Sequence, residues 1–218
     1  MAGSNTPTFQ PPFPVQPSVN RLAAWVLKLL GWRVLYQGLP ARQGMLVVYP
    51  HTSNWDFVIL VLAKWSIGIQ LNFWGKDKLF RIPLFGAWLS WLGGVPVSRT
   101  SPRGVVGQAV DAFAQARAQD RYFWLALAPE GTRKYIPGWR SGFYQTAVQA
   151  KTPLGMVRLD YKRREITAHN FIYLSGDVTR DLANIAQVFD GVTGYNPGNA
   201  SPITLLDPAV PRAETVVK

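Results

Sequence analysis

The sequence predicts an α/β domain with a mainly parallel central sheet flanked by helices, preceded by an amphipathic N-terminal helix. Three observations carry that prediction. Strand-like and helix-like segments alternate through most of the chain, the order expected when helices cross over between parallel strands. The apolar run Met45 to Tyr49 is closed by Pro50 and reads as a buried strand, with an apolar helical segment after it. The chain has 218 residues, 48% of them apolar, which suits one domain with a real core.

In chain order, residues 1–18 carry Pro at 7, 11, 12, 14 and 17 and read as a disordered or extended tail. Residues 21–35 have helical spacing, with Leu22, Trp25, Val26, Leu29 and Leu30 on one face and Arg21 and Lys28 on the opposite edge. Such a helix either lies in a membrane interface, Trp at headgroup depth and cations on lipid phosphate, or packs on the domain. Strand-like runs follow at 45–50, 71–75, 94–98, 122–128, 153–160 and 166–174. Helix-like segments fall at 56–67, 78–92, 103–118, 142–150 and 178–190. Residues 79–95 are apolar almost all round and are broken by Pro83 and Gly86. They either fill the core or offer a Trp-bearing surface to lipid, and the second reading is preferred. From about Pro208 the chain reads as a loose tail.

Composition narrows the partners. There are 23 Lys and Arg against 12 Asp and Glu, a formal net charge of +11, so a polyanion is expected: nucleic acid, an anionic membrane surface or a phosphorylated substrate. Cysteine is absent, which excludes disulfides and thiolate catalysis and fits a cytoplasmic setting. No secretory pattern is visible in the first twenty residues, and the longest apolar candidate, 57–74, is interrupted by Lys64, Gln70 and Asn72. Contact with a membrane would therefore be peripheral.

Three loops carry candidate chemistry, each at the end of a strand-like run. His51 stands five residues before Asp56, at the start of a helix whose cap is Ser53 or Asn54. Imidazole suits proton transfer near neutral pH, and a carboxylate behind it fixes the tautomer. A turn histidine beside a helix-capping carboxylate would look the same. Gly93-Gly94-Val95-Pro96-Val97-Ser98-Arg99 ends on one arginine, and Pro129-Glu130-Gly131-Thr132-Arg133 ends on another. If the strands are parallel, all three loops share the carboxyl edge where open α/β sheets bind ligands, and Arg99 and Arg133 could clamp an oxyanion. Glu130 and Arg133 could equally be a surface ion pair.

HTSNWD at 51–56, GGVPVSR at 93–99 and PEGTR at 129–133, in this order, resemble the motifs of the glycerophospholipid acyltransferases, the family of bacterial 1-acylglycerol-3-phosphate acyltransferase. TPLGMV at 152–157 is similar to a weaker fourth motif. The resemblance covers roughly residues 20–175; with the residue patterns above it gives a membrane-associating helix at 19–36, an acyltransferase domain at 37–207 and a tail at 208–218. It implies His51 as base and Asp56 as its orienting partner, with Arg99, Glu130, Gly131, Thr132 and Arg133 binding a phosphorylated acceptor. The chain departs from the family pattern at Pro50, Ala128 and Gly155, which flank the chemistry.

The resemblance thus implies transfer of a fatty acyl group from acyl-CoA or acyl carrier protein to a hydroxyl of a lysophospholipid-like acceptor, on the cytoplasmic face of a membrane. No cofactor beyond the acyl donor and no metal is implied; His169 is isolated in a basic strand-like run. The leading alternative is a thioesterase using the same pair on water, which would have no need of phosphate-suited arginines. A non-catalytic basic module is the other. Arg158, Lys162, Arg163 and Arg164 with Tyr161 among them could touch phosphates, but no nucleic-acid-binding motif accompanies them and nucleic acid is not expected.

Overall fold

The computed structural model describes residues 19–97 and 104–206. The tails expected at 1–18 and 208–218 lie outside the described residues. The order of elements is α1 (Arg21–Leu29), β1 (Arg33–Tyr36), β2 (Gln43–Tyr49), α2 (Trp55–Ile67), β3 (Asn72–Lys76), α3 (Asp77–Phe80), α4 (Phe85–Trp91), β4 (Gly94–Val97), α5 (Gly104–Ala118), β5 (Phe123–Leu127), α6 (Gly142–Ala150), β6 (Leu154–Asp160), β7 (Glu165–Ile172) and α7 (Val178–Val188).

Seven strands form one sheet in the order β1-β7-β6-β2-β5-β3-β4. Every pairing is parallel except β6 with β7, as the alternation predicted. β2 lies near the middle, between β6 and β5. Its residues Met45 and Val47 face a core built with α5, α6 and α7, while Leu46 and Val48 face a second core with α1 and α2. A strand covered on both sides has no polar face, which is why its sequence is a continuous apolar run. Gly155 on β6 shows how tight the second layer is. A Cβ there would come within 2.5 Å of Phe171 and 2.6 Å of Leu46. The departure from the family pattern at this position therefore makes room for an aromatic ring from β7.

The N-terminal helix is shorter than its spacing predicts. Asn20 caps it by accepting from the Ala23 N–H, and it ends at Leu29. Gly31, at φ +76°, turns the chain into β1, which joins the sheet beside β7. Residues 33–36 are thus strand rather than helix, and the domain begins before the expected boundary at 37. Trp32, also read as part of that helix, is buried in the second core. The helix buries Ala23 and Leu27 on the domain and leaves Leu22, Trp25, Leu29 and Leu30 exposed. The segment expected as one helix over 78–92 is two short ones, α3 and α4, split at Pro83 and at Leu84, whose φ is +62°.

Candidate active site

Parallel pairing brings the ends of β6, β2 and β5 to one edge of the sheet. The loop 50–54 leaves β2 there and runs into α2, the loop 128–133 leaves β5, and the turn 161–164 leaves β6. The first turn of α2 then folds back on its own approach. Asp56 sits in that turn with no solvent exposure, and its Oδ2 accepts from the backbone N–H of Thr52 at 2.7 Å and of Ser53 at 2.9 Å. The same oxygen lies 3.1 Å from His51 Nδ1. An ionised carboxylate can only accept, so Nδ1 carries the ring proton and Nε2 keeps its lone pair. The His51 side chain is 20% exposed, so the imidazole reaches solvent while its anchor does not. The N-cap of α2 is Asn54, whose side chain makes no capping bond; one residue earlier, Ser53 Oγ accepts from the Trp55 N–H at 3.2 Å.

Asp56 Oδ1 is taken by the hydroxyl of Tyr161, 2.8 Å away. Burial pushes the Asp56 carboxyl up, but the hydrogen bonds from His51, Ser53 and Tyr161 together outweigh it and hold the group below its ordinary value. Asp56 is thereby kept ionised, which a partner for imidazolium must be.

Glu130 occupies the other flank. It too has no solvent exposure, and its Oε2 accepts from the His51 backbone N–H at 2.6 Å while Oε1 accepts from the Ser201 N–H at 3.1 Å. Burial pushes it up to about 7, against the pull of those two donors. It forms no ion pair with Arg133. Neither oxygen faces solvent, so the expected acceptor-binding role does not fit Glu130: it ties the His51 loop to the C-terminal segment. Gly131, at φ +64°, lets the chain turn directly after it, and a Cβ there would lie 2.8 Å from Arg140 Nε. Thr132 Oγ1 accepts from the Lys134 N–H at 3.3 Å. Arg133 is exposed and has no ion-pair partner among the described residues. Arg99 lies outside the described residues, so the structure brings together His51, Asp56, Glu130 and the 131–133 loop but gives no position for the second arginine.

Sequence reasoning missed three residues that build this site. Tyr161 stands out in the sequence only as an aromatic among basic residues that could touch phosphates, an alternative not preferred, yet its hydroxyl points to Asp56. Asn196 donates from its backbone N–H to Thr52 Oγ1 at 3.1 Å and from its side-chain amide to the Thr52 carbonyl at 2.9 Å. Ser201 donates to Glu130 and, through its carbonyl, accepts from the Tyr49 hydroxyl at 3.0 Å. Nothing local marks Asn196 or Ser201, since their partners are far away in sequence. Among the described residues no group of three or more His, Asp or Glu side chains could hold a metal ion.

A family model described as Acyltransferase matches residues 33–158, more than half of the chain. No curated protein matches the sequence. Among solved structures, the 1-acyl-sn-glycerophosphate (LPA) acyltransferase PlsC from Thermotoga maritima is similar in fold. Its TM-score is 0.50 at 17% identity, over 78% of this chain and 74% of that one.

Proposed function

The chain belongs to the acyltransferase family, and from that premise we propose that it transfers a fatty acyl group from a thioester donor to a hydroxyl of a lysophospholipid-like acceptor at a membrane surface. The observation that carries this reading is the hold of Asp56 on His51 Nδ1, which leaves Nε2 open at the carboxyl edge of the sheet. Nε2 takes the proton of the acceptor hydroxyl as its oxygen attacks the thioester carbonyl. The tetrahedral intermediate collapses, the carbon–sulfur bond breaks, and the imidazolium returns the proton to the leaving thiolate. An ester and a free thiol result. General base catalysis of this kind is worth about 10²–10⁴ in rate, and holding both substrates in place supplies much of the remainder.

Arg133, exposed one turn of loop from Glu130, is suited to an acceptor phosphate, and Arg99 would close the same clamp. The donor is acyl-CoA or acyl carrier protein. Incubation with mixed lysolipids and both donors, read by mass spectrometry, tests the reading. Diacyl product supports it, and free fatty acid without lipid product would make the protein a thioesterase.

The surface supports a peripheral membrane site. α1 packs on α2, and α2 meets α4 through Trp65 with Trp91 and Phe57 with Trp88. Around these contacts Leu22, Trp25, Leu29, Leu84, Trp88 and Trp91 are exposed, with Arg21, Lys28 and Lys78 exposed beside them. Apolar side chains rimmed by cations fit an anionic lipid surface. No helix among the described residues is long and apolar enough to cross a membrane. Because Trp32 is buried in the second core and β1 pairs with β7 at the edge of the sheet, deleting the N-terminal region would damage the sheet. The cleaner test is Leu22→Ser with Trp25→Ser and Leu29→Ser. Partition onto anionic vesicles should fall at least tenfold with thermal stability unchanged; undiminished binding would move the contact to α4.

A further inference from the structure

Asp56 Oδ2 accepts three hydrogen bonds, from His51, Thr52 and Ser53, whereas Oδ1 accepts only one among the described residues, from Tyr161. A turn about the Cβ–Cγ bond moves both oxygens together, and with them the acceptor lone pair offered to imidazole. A donor on Oδ1 therefore adds a second restraint on the carboxylate plane, at the oxygen that the loop amides leave free. Tyr161 supplies that constraint from the turn after β6, and its own position is set from three sides. Its ring meets Trp32 edge-on at 4.9 Å and Tyr195 edge-on at 5.3 Å, and its backbone N–H donates to the Thr193 carbonyl at 2.8 Å. Burial, then the neighbouring Asp56, pushes the phenol's pKa well above its ordinary value, so the hydroxyl stays a donor.

We propose that Tyr161 is a positioning residue for the His51–Asp56 pair, held in an aromatic bracket by Trp32 and Tyr195. All three lie outside residues 33–158, the segment that the family model matches. The bracket therefore reaches the catalytic loop from both flanks of the matched region. Trp32 comes from the turn before β1, Tyr195 from the segment after α7 that also brings Asn196 to Thr52. The proposal rests on the acyl-transfer reading for what the pair does, but not for what the hydroxyl does to the pair.

Tyr161→Phe is the test, since it removes one oxygen and leaves the ring between its neighbours. The chain has only two histidines, so ¹⁵N–¹H spectra of the imidazoles hold two sets of signals, and His169→Gln assigns them. The wild type should show His51 in a single tautomer with the proton on Nδ1. In Tyr161→Phe that signal should give way to a mixture of tautomers, with His169 unchanged. Acyl transfer should lose about tenfold in kcat, with both KM values within twofold, because misorientation of a general base touches the chemical step alone. A merely structural role would leave the tautomer of the folded fraction intact. An unchanged His51 spectrum in a folded Tyr161→Phe protein overturns the proposal. If the wild type transfers no acyl group, the functional reading fails while the ring spectrum still decides this one. Tyr195→Ala, at a position 51% exposed, removes one wall of the bracket from outside and serves if Tyr161→Phe does not fold. It should also mix the tautomers, and an unmixed spectrum there overturns the bracket.

Discussion

The α2 side and the β5 side of the His51 loop each bury a carboxylate completely, and the two end with opposite acidities. Asp56 is held below its ordinary value, whereas Glu130 is pushed up to about 7. Burial pushes both upward; at Asp56 the hydrogen bonds outweigh it, and at Glu130 they do not. Asp56 receives four hydrogen bonds, one of them from a group that gains positive charge in the proposed reaction. Glu130 receives two from backbone amides, helped by the Ser201 hydroxyl. The lesson is that a buried carboxyl stays charged only where its donors outweigh the cost of depth. One carboxylate is equipped to face imidazolium. The other fastens a loop.

The largest expected effect breaks or upholds the first half of that contrast. His51→Ala should abolish transfer while fold and vesicle binding persist. Asp56→Asn should lower kcat by about 10³–10⁴, since an amide favours the wrong tautomer and cannot stabilise the imidazolium. The double variant should be little worse than either, because the pair acts as a unit. Circular dichroism on the same preparations separates lost chemistry from lost structure. Near-normal transfer by His51→Ala would leave Asp56 as a helix-cap carboxylate and no more.

Glu130→Gln addresses the other half, with a smaller loss of about tenfold to a hundredfold from displacement of the His51 backbone. Its signature should be in pH-dependent stability. The Glu130 pKa is raised on folding, from 4.5 to about 7. Between those values the unfolded chain has released the proton and the folded one has kept it, so stability falls as pH rises through this window. The shift corresponds to about 3 kcal/mol. Chemical denaturation from pH 4.5 to 8 should show that decline in wild type and a flatter profile in Glu130→Gln. Asp56 works in the opposite sense: its depressed pKa contributes stability above the unfolded value that is lost as pH falls through the folded one. Identical profiles for wild type and Glu130→Gln would mean that the carboxyl is ionised throughout and that the contrast is false.

Arg133→Ala gives the smallest effect and separates two roles in one loop. It should raise the acceptor KM about tenfold with little change in kcat and none in the donor KM. If Glu130 touched the acceptor, Glu130→Gln would give that same KM signature; as a fastener it should give a kcat loss instead. A change in the donor KM alone would assign Arg133 to the donor's phosphates.

Much of this arrangement is legible in the sequence, for physical reasons that can be named. Met45 to Tyr49 reads as a buried strand because β2 is covered on both faces. His51, Glu130 and Arg133 follow strand-like runs, so parallel pairing alone predicts their common edge. β1 is not legible, because Val34 and Leu35 continue the helical spacing of α1; only Gly31 marks the stop. The break between α3 and α4 was marked by Pro83, but its effect depends on Leu84 entering an unusual backbone conformation. The burial of Glu130 is invisible locally, since one of its two donors is Ser201. Tyr161 looked like one member of a basic run because sequence does not tell which way a ring points.

The span from His51 to Ser201 has a consequence for synthesis. A ribosome that has just completed β5 and the loop after it has made every motif residue the family resemblance names up to Arg133. It has not yet made Tyr161, Asn196 or Ser201, which secure that loop. The nascent chain therefore carries the chemistry without the fixtures. The loop is fastened only when the segment through Ser201 has emerged and crossed back over the sheet edge. Full positioning of the His51–Asp56 pair thus comes after synthesis of the pair itself.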